Sequence, residues 1–79
     1  MVPRQTFINR IRSLGYSFKS QQKRTHMYRK KGGTHRIFVP LADKLEDAFV
    51  RSALLQAGES RDEVQQFISC YSRPTSKPN

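Results

Sequence analysis

Two histidines and a dense run of bases are the residues most able to do chemistry in this sequence. His26 lies in the most basic stretch, two residues before Tyr28, and His35 follows the pair Gly32-Gly33. An imidazole titrates near pH 6.5, so either side chain can take or give a proton near neutrality. If their strands are neighbours, His35 could face His26 and supply a paired acid and base. The plainer reading makes His26 a surface side chain that contacts phosphate, and the pairing a chance of placement. Around them stand Lys19, Lys23, Arg24, Arg29, Lys30, Lys31 and Arg36, interleaved with Tyr16, Phe18, Tyr28 and Phe38. Such bases attract polyanions through counterion release, whatever the polyanion's sequence. Aromatic rings offer stacking surfaces to unpaired nucleobases. About half of these rings are expected to face the core of a sheet instead.

The charge is distributed unevenly. The formal net charge is +9, and residues 1 to 42 hold no acid at all. From Asp43 onward the acids Asp43, Glu46, Asp47, Glu59, Asp62 and Glu63 nearly balance the bases. A basic half of this kind points first to nucleic acid and second to an anionic membrane. Cys70 is the only cysteine; it cannot form an internal disulfide, and a reducing cytoplasm suits it best. Two histidines and one distant cysteine do not make a metal-binding set, so no metal or other cofactor is expected. No apolar run reaches the length of a membrane span, and the N-terminus lacks the apolar core of a signal peptide. Gly32-Gly33 falls far short of a phosphate-binding loop.

These residues must be positioned by few elements, because 79 residues build one small core. The domain is expected over residues 1–71, with Ser72 to Asn79, which holds two prolines, as a disordered tail. Phe7, Ile8, Ile11 and Leu14 recur at helical spacing, predicting a first helix from about Arg4 to Leu14, closed by Gly15 in a left-handed conformation. Arg10 and Arg12 fall off its apolar stripe and read as a solvated face or as phosphate contacts. Three strands are predicted at Tyr16 to Lys19, Arg24 to Lys30 and His35 to Val39, with Lys31-Gly32-Gly33-Thr34 as a hairpin turn. A second helix is predicted to start between Asp43 and Asp47, where Lys44, Glu46 and Asp47 make local ion pairs, and to end at Gln56. Ser60 and Glu63 then form a capping box for a short helix to about Cys70. The order α-β-β-β-α plus a short C-terminal helix predicts an α+β fold, a three-stranded antiparallel sheet with its helices on one face. The other face is left open for binding.

That order is also the order of the compact double-stranded-RNA-binding (dsRBD-like) fold. More specific text lies upon it. Ile37-Phe38-Val39-Pro40, a linker, and then Val50-Arg51-Ser52-Ala53-Leu54-Leu55-Gln56-Ala57-Gly58 resemble the C-terminal half of HicA toxins. Ser60-Arg61-Asp62-Glu63 resembles the stretch that often follows there, and Leu14-Gly15-Tyr16 resembles the family's junction after its first helix. The resemblance covers roughly residues 6 to 68.

HicA toxins are ribonucleases that cleave messenger RNA (mRNA interferases) and are neutralised by HicB antitoxins. The resemblance therefore implies RNA as ligand, metal-independent endoribonuclease activity and a HicB-like antitoxin as partner in a toxin–antitoxin pair. Activity in the family rests on a Gly-Ser-His-His motif, followed by an apolar residue and tyrosine, whose first histidine is catalytic. Matched on Tyr28 without a gap, Lys23 and Arg24 stand at Gly-Ser, Thr25 at the catalytic histidine and His26 at the second. A shift of one residue would give His26 the catalytic role, but it flips the side chain to the other face of the strand. The ungapped match is preferred. Thr25 cannot carry a proton near neutrality, whereas Lys23, Arg24 and Arg29 could still hold a phosphate. The expectation is an RNA-binding protein of the HicA type whose cleaving activity is in question. Its alternatives are a silent nucleic-acid binder and a module that docks an antitoxin.

Overall fold

The structure, a computed structural model, describes residues 1–72. The chain runs β1 (Val2–Pro3), α1 (Arg4–Ser13), β2 (Tyr16–Gln22), β3 (Thr25–Lys30), β4 (Arg36–Pro40), β5 (Lys44–Leu45), α2 (Asp47–Gln56) and α3 (Arg61–Ser72). This is the α+β layout expected, with β2-β3-β4 forming one antiparallel sheet. Ser72 ends α3; the rest of the stretch expected to be a disordered tail lies outside the described residues.

The helices form where apolar side chains recur at helical spacing. Phe7, Ile8 and Ile11 are the buried stripe of α1, and Gly15 ends it at φ 99°, a left-handed angle. Val50, Ala53 and Leu54 face inward from α2, and Val64 and Ile68 from α3. These meet Tyr16, Tyr28, Ile37 and Val39 of the sheet in one core. Each large aliphatic side chain buried there contributes about 1.5–3 kcal/mol. The capping box forms as read: the Glu63 N–H donates to Ser60 Oγ at 3.2 Å, and the Ser60 N–H to Glu63 Oε1 at 3.3 Å.

α2 starts at Asp47, the far end of the expected range, and ends at Gln56 as expected. Lys44 and Leu45 are not helical but pair with Pro3 and Val2 as a second, two-stranded ladder. Leu45 is 2% exposed, so it enters the core as a strand residue just ahead of the helix. The Asp43 carbonyl accepts from the Arg4 N–H at 2.8 Å and thereby satisfies an otherwise orphaned donor of the first turn of α1.

Candidate nucleic-acid interface

Strand register decides which bases act together. Directly opposed residues share a face, and faces alternate along each strand. Tyr28 opposes Ile37 and Phe18, and His26 opposes Val39 and Gln21. Ile37, Val39 and Tyr28 are buried, so this is the helix-covered face. The alternate set, Ser17-Arg29-Arg36, Ser20-Met27-Phe38 and Gln22-Thr25-Pro40, forms the open face. A bulge between Phe18 and Ser20 adds Lys19 as the extra residue of β2.

The open face carries an arginine pair. Arg29 and Arg36 stand directly opposite one another, both exposed, and no carboxylate pairs with either among the described residues. Like charges so placed destabilise a sheet slightly and favour an anion between them. Arg29 Nε donates to the Gly33 carbonyl at 3.2 Å, which aims the rest of its guanidinium. One step along lie Met27 and Phe38, the latter 45% exposed and able to stack on a flat ring. Thr25 is on the same face, its hydroxyl donating to the Gln22 carbonyl at 3.1 Å.

The other expected binding residues are dispersed. Lys23 and Arg24 form the tip of the β2–β3 hairpin, Lys30 ends β3 on the helix-side set, and Lys31 sits in the β3–β4 turn with its N–H on the Gly15 carbonyl. Lys23 holds φ 51°, a left-handed angle that glycine adopts far more readily. Of the interleaved aromatics, Tyr16 and Tyr28 line the core while Phe18 and Phe38 are exposed. Tyr28 is only 6% exposed, so its ring packs in the core and offers no stacking platform.

Neither histidine joins the arginine pair. His26 is on the helix-side set, its ring edge-on to Phe18 at 5.0 Å between centroids. Arg4 Nη2 donates to its Nδ1 at 2.9 Å, while Arg4 Nε donates to the Pro40 carbonyl at 2.9 Å. A guanidinium only donates, so Nδ1 is the acceptor and the ring proton is on Nε2. In this arrangement Nε2 is the nitrogen that can donate.

His35 is held differently. Tyr16 Oη and its Nδ1 share a hydrogen bond of 2.6 Å, and Nε2 lies 3.4 Å from Gln56 Oε1. Burial raises the Tyr16 phenol above its ordinary value. The register also separates the histidines: His26 opposes Val39, four residues along β4 from His35, or about 13 Å. The expected pairing across the ladder is therefore corrected, because the two strands meet in a different phase.

Arg4, Tyr16 and Gln56 were not expected as partners of the histidines. Their contacts with the histidines cross 19 to 22 residues of chain, beyond any local pattern. Arg29 was within reach, since alternation from a buried Tyr28 places it on the opposite face, but that Arg36 opposes it follows only from the register. Cys70 is a free, exposed thiol, and no described helix is long and apolar enough to cross a membrane.

No protein-family model, no curated protein and no solved structure matches the chain.

Proposed function

We propose that this protein binds RNA through the open face of its three-stranded sheet, as a relative of the HicA toxins in which binding has outlasted cleavage. The observation that carries the reading is the opposed, uncompensated pair Arg29 and Arg36 beside the exposed ring of Phe38. The pair supplies phosphate contacts and Phe38 a stacking surface, with Lys23 and Arg24 at the hairpin tip as further cations. The positive φ at Lys23 supports the HicA register, because the family's glycine stands at this position in the ungapped match.

Cleavage of the HicA kind needs a proton carrier at the 2′-hydroxyl. Thr25 is the residue on the basic face, and His26 is turned away from it with Nδ1 occupied by Arg4. A HicB-like antitoxin covering the same face is the protein partner that the resemblance adds, and the lone thiol suits a reducing cytoplasm.

The test is gel retention of a structured messenger RNA across a salt series, with EDTA present and the RNA's integrity followed. Retention should fall with salt, and Arg36→Ala should reduce the slope by about 0.7 to 0.9, one phosphate contact. Unchanged affinity in the Arg29→Ala and Arg36→Ala variants would remove the open face from the proposal. Cleavage by wild type that disappears in His26→Ala would make the protein a nuclease and the one-residue shift the correct alignment.

A further inference from the structure

The sheet has two edges, and they are finished differently. The outer edge of β2 is polar and broken by the bulge at Lys19, a combination that discourages another strand from pairing. The outer edge of β4 reads Arg36-Ile37-Phe38-Val39-Pro40 and has no bulge.

The phase of the β3–β4 ladder shows which β4 groups point outward. The Leu41 N–H donates to the Arg24 carbonyl and the Lys30 N–H to the His35 carbonyl. Hydrogen-bonded pairs alternate with non-bonded ones, so His26/Val39 and Tyr28/Ile37 are the bonded pairs between them. The N–H and C=O groups of Arg36 and Phe38, and the Pro40 carbonyl, therefore face away from β3. The Pro40 carbonyl is taken by Arg4 Nε, which agrees with this phase. At the other end, the groups of Arg36 and Phe38 have no hydrogen-bond partner among the described residues.

Beside this free edge runs a cleft of about 200 Å³ between β4 and α2. Ile37, Phe49 and Ala53 make its apolar part and Gln56 and His35 its polar end, with no acid in its lining. Arg36 lies on the open-face side, already facing the like charge of Arg29. We propose that the free edge of β4 binds an acidic peptide in extended conformation, which adds to the sheet as a fourth strand. Backbone groups of Arg36 and Phe38 supply the pairing. The incoming strand places a carboxylate opposite Arg36 on the open face, and apolar side chains alternate into the cleft. A second copy of the chain would bring another +9 charge against this edge, which is why an acidic partner is favoured. This inference is independent of RNA binding, although Arg36 belongs to both surfaces.

The probe is a fluorescein-labelled heptapeptide of alternating glutamate and valine, titrated against the full chain by anisotropy and amide NMR. Saturable binding is expected, with exchange protection appearing at the Arg36 and Phe38 amides. The same peptide N-methylated at alternate residues should bind at least tenfold more weakly. So should Phe38→Pro, which removes an outward N–H without touching the β3 ladder; if that variant does not fold, the N-methylated peptide carries the test alone. Equal binding of the N-methylated peptide or of heptaglutamate would overturn the proposal in favour of diffuse attraction. Protection of the two amides that grows with protein concentration, without peptide, would assign the edge to a second copy. Protection by an RNA oligonucleotide but not by the peptide would assign it to nucleic acid.

Discussion

Two arginine sites of this protein resemble each other in composition and differ in closure. Arg10 lies over the Phe67 ring at 5.4 Å and meets Glu59 through two donors, Nε at 2.9 Å from Oε1 and Nη2 on Oε2. Arg29 and Arg36 lie beside Phe38 and meet no carboxylate among the described residues. At the first site the Glu59 side chain is only 6% exposed and the arginine joins α1 to the turn before α3. At the second, both guanidiniums face water. An arginine beside a phenylalanine is thus a rivet when a carboxylate completes it and an open charge when none does. Net charge alone cannot separate the two roles.

Substitutions can break or sharpen that contrast. Arg10→Ala leaves the largely covered Glu59 carboxylate without its partner and should cost about 1.5 kcal/mol in chemical denaturation, between the values of exposed and buried pairs. A loss below half of that would mean that water or relaxation replaces the guanidinium, and the rivet would be ordinary surface. The double variant Arg29→Ala with Arg36→Ala should leave stability within about 0.5 kcal/mol of wild type. It should also weaken RNA retention at least tenfold, about 1.4 kcal/mol. Arg36→Glu converts the open site into a closed one by giving Arg29 a cross-strand carboxylate. Its expected signature is a gain of about 0.5 kcal/mol in stability together with loss of RNA binding; a loss of stability would show that the pair is not opposed as described.

The smallest effect concerns pH. The Tyr16 phenol is raised by burial, so the folded state holds its proton where the unfolded chain, with an ordinary value near 10, releases it. This contribution is fully present below pH 10 and is lost as pH rises through the higher, folded value. Tyr16→Phe should flatten the alkaline limb of the stability curve; an unchanged limb would place the titration elsewhere.

The elements with strong local signals were legible in the sequence. Phe7, Ile8 and Ile11 with Gly15 define α1, and Ser60 with Glu63 defines the start of α3, because each needs only near neighbours. The β1–β5 ladder was not legible, since two residues a side carry no periodicity and Leu45 reads equally well as the first apolar residue of a helix. At the site, the basic strand region was visible as composition, but its division was not. Which bases share a face depends on the β3–β4 register and on the bulge at Lys19. The partners of both histidines come from distant elements and appear only once the chain is folded.

The β1–β5 ladder also has a kinetic meaning. The helices and the two hairpins β2–β3 and β3–β4 are made by near neighbours in sequence, so they can assemble quickly. Joining Val2 to Leu45 instead closes most of the chain into a ring, at an entropic cost on the order of 3 kcal/mol. That clasp should therefore form last and open first. In native-state hydrogen exchange, the amides of Val2 and Leu45 should report a lower opening free energy than those of Tyr28 and Ile37, so that the chain breathes from its clasp while the sheet stays shut.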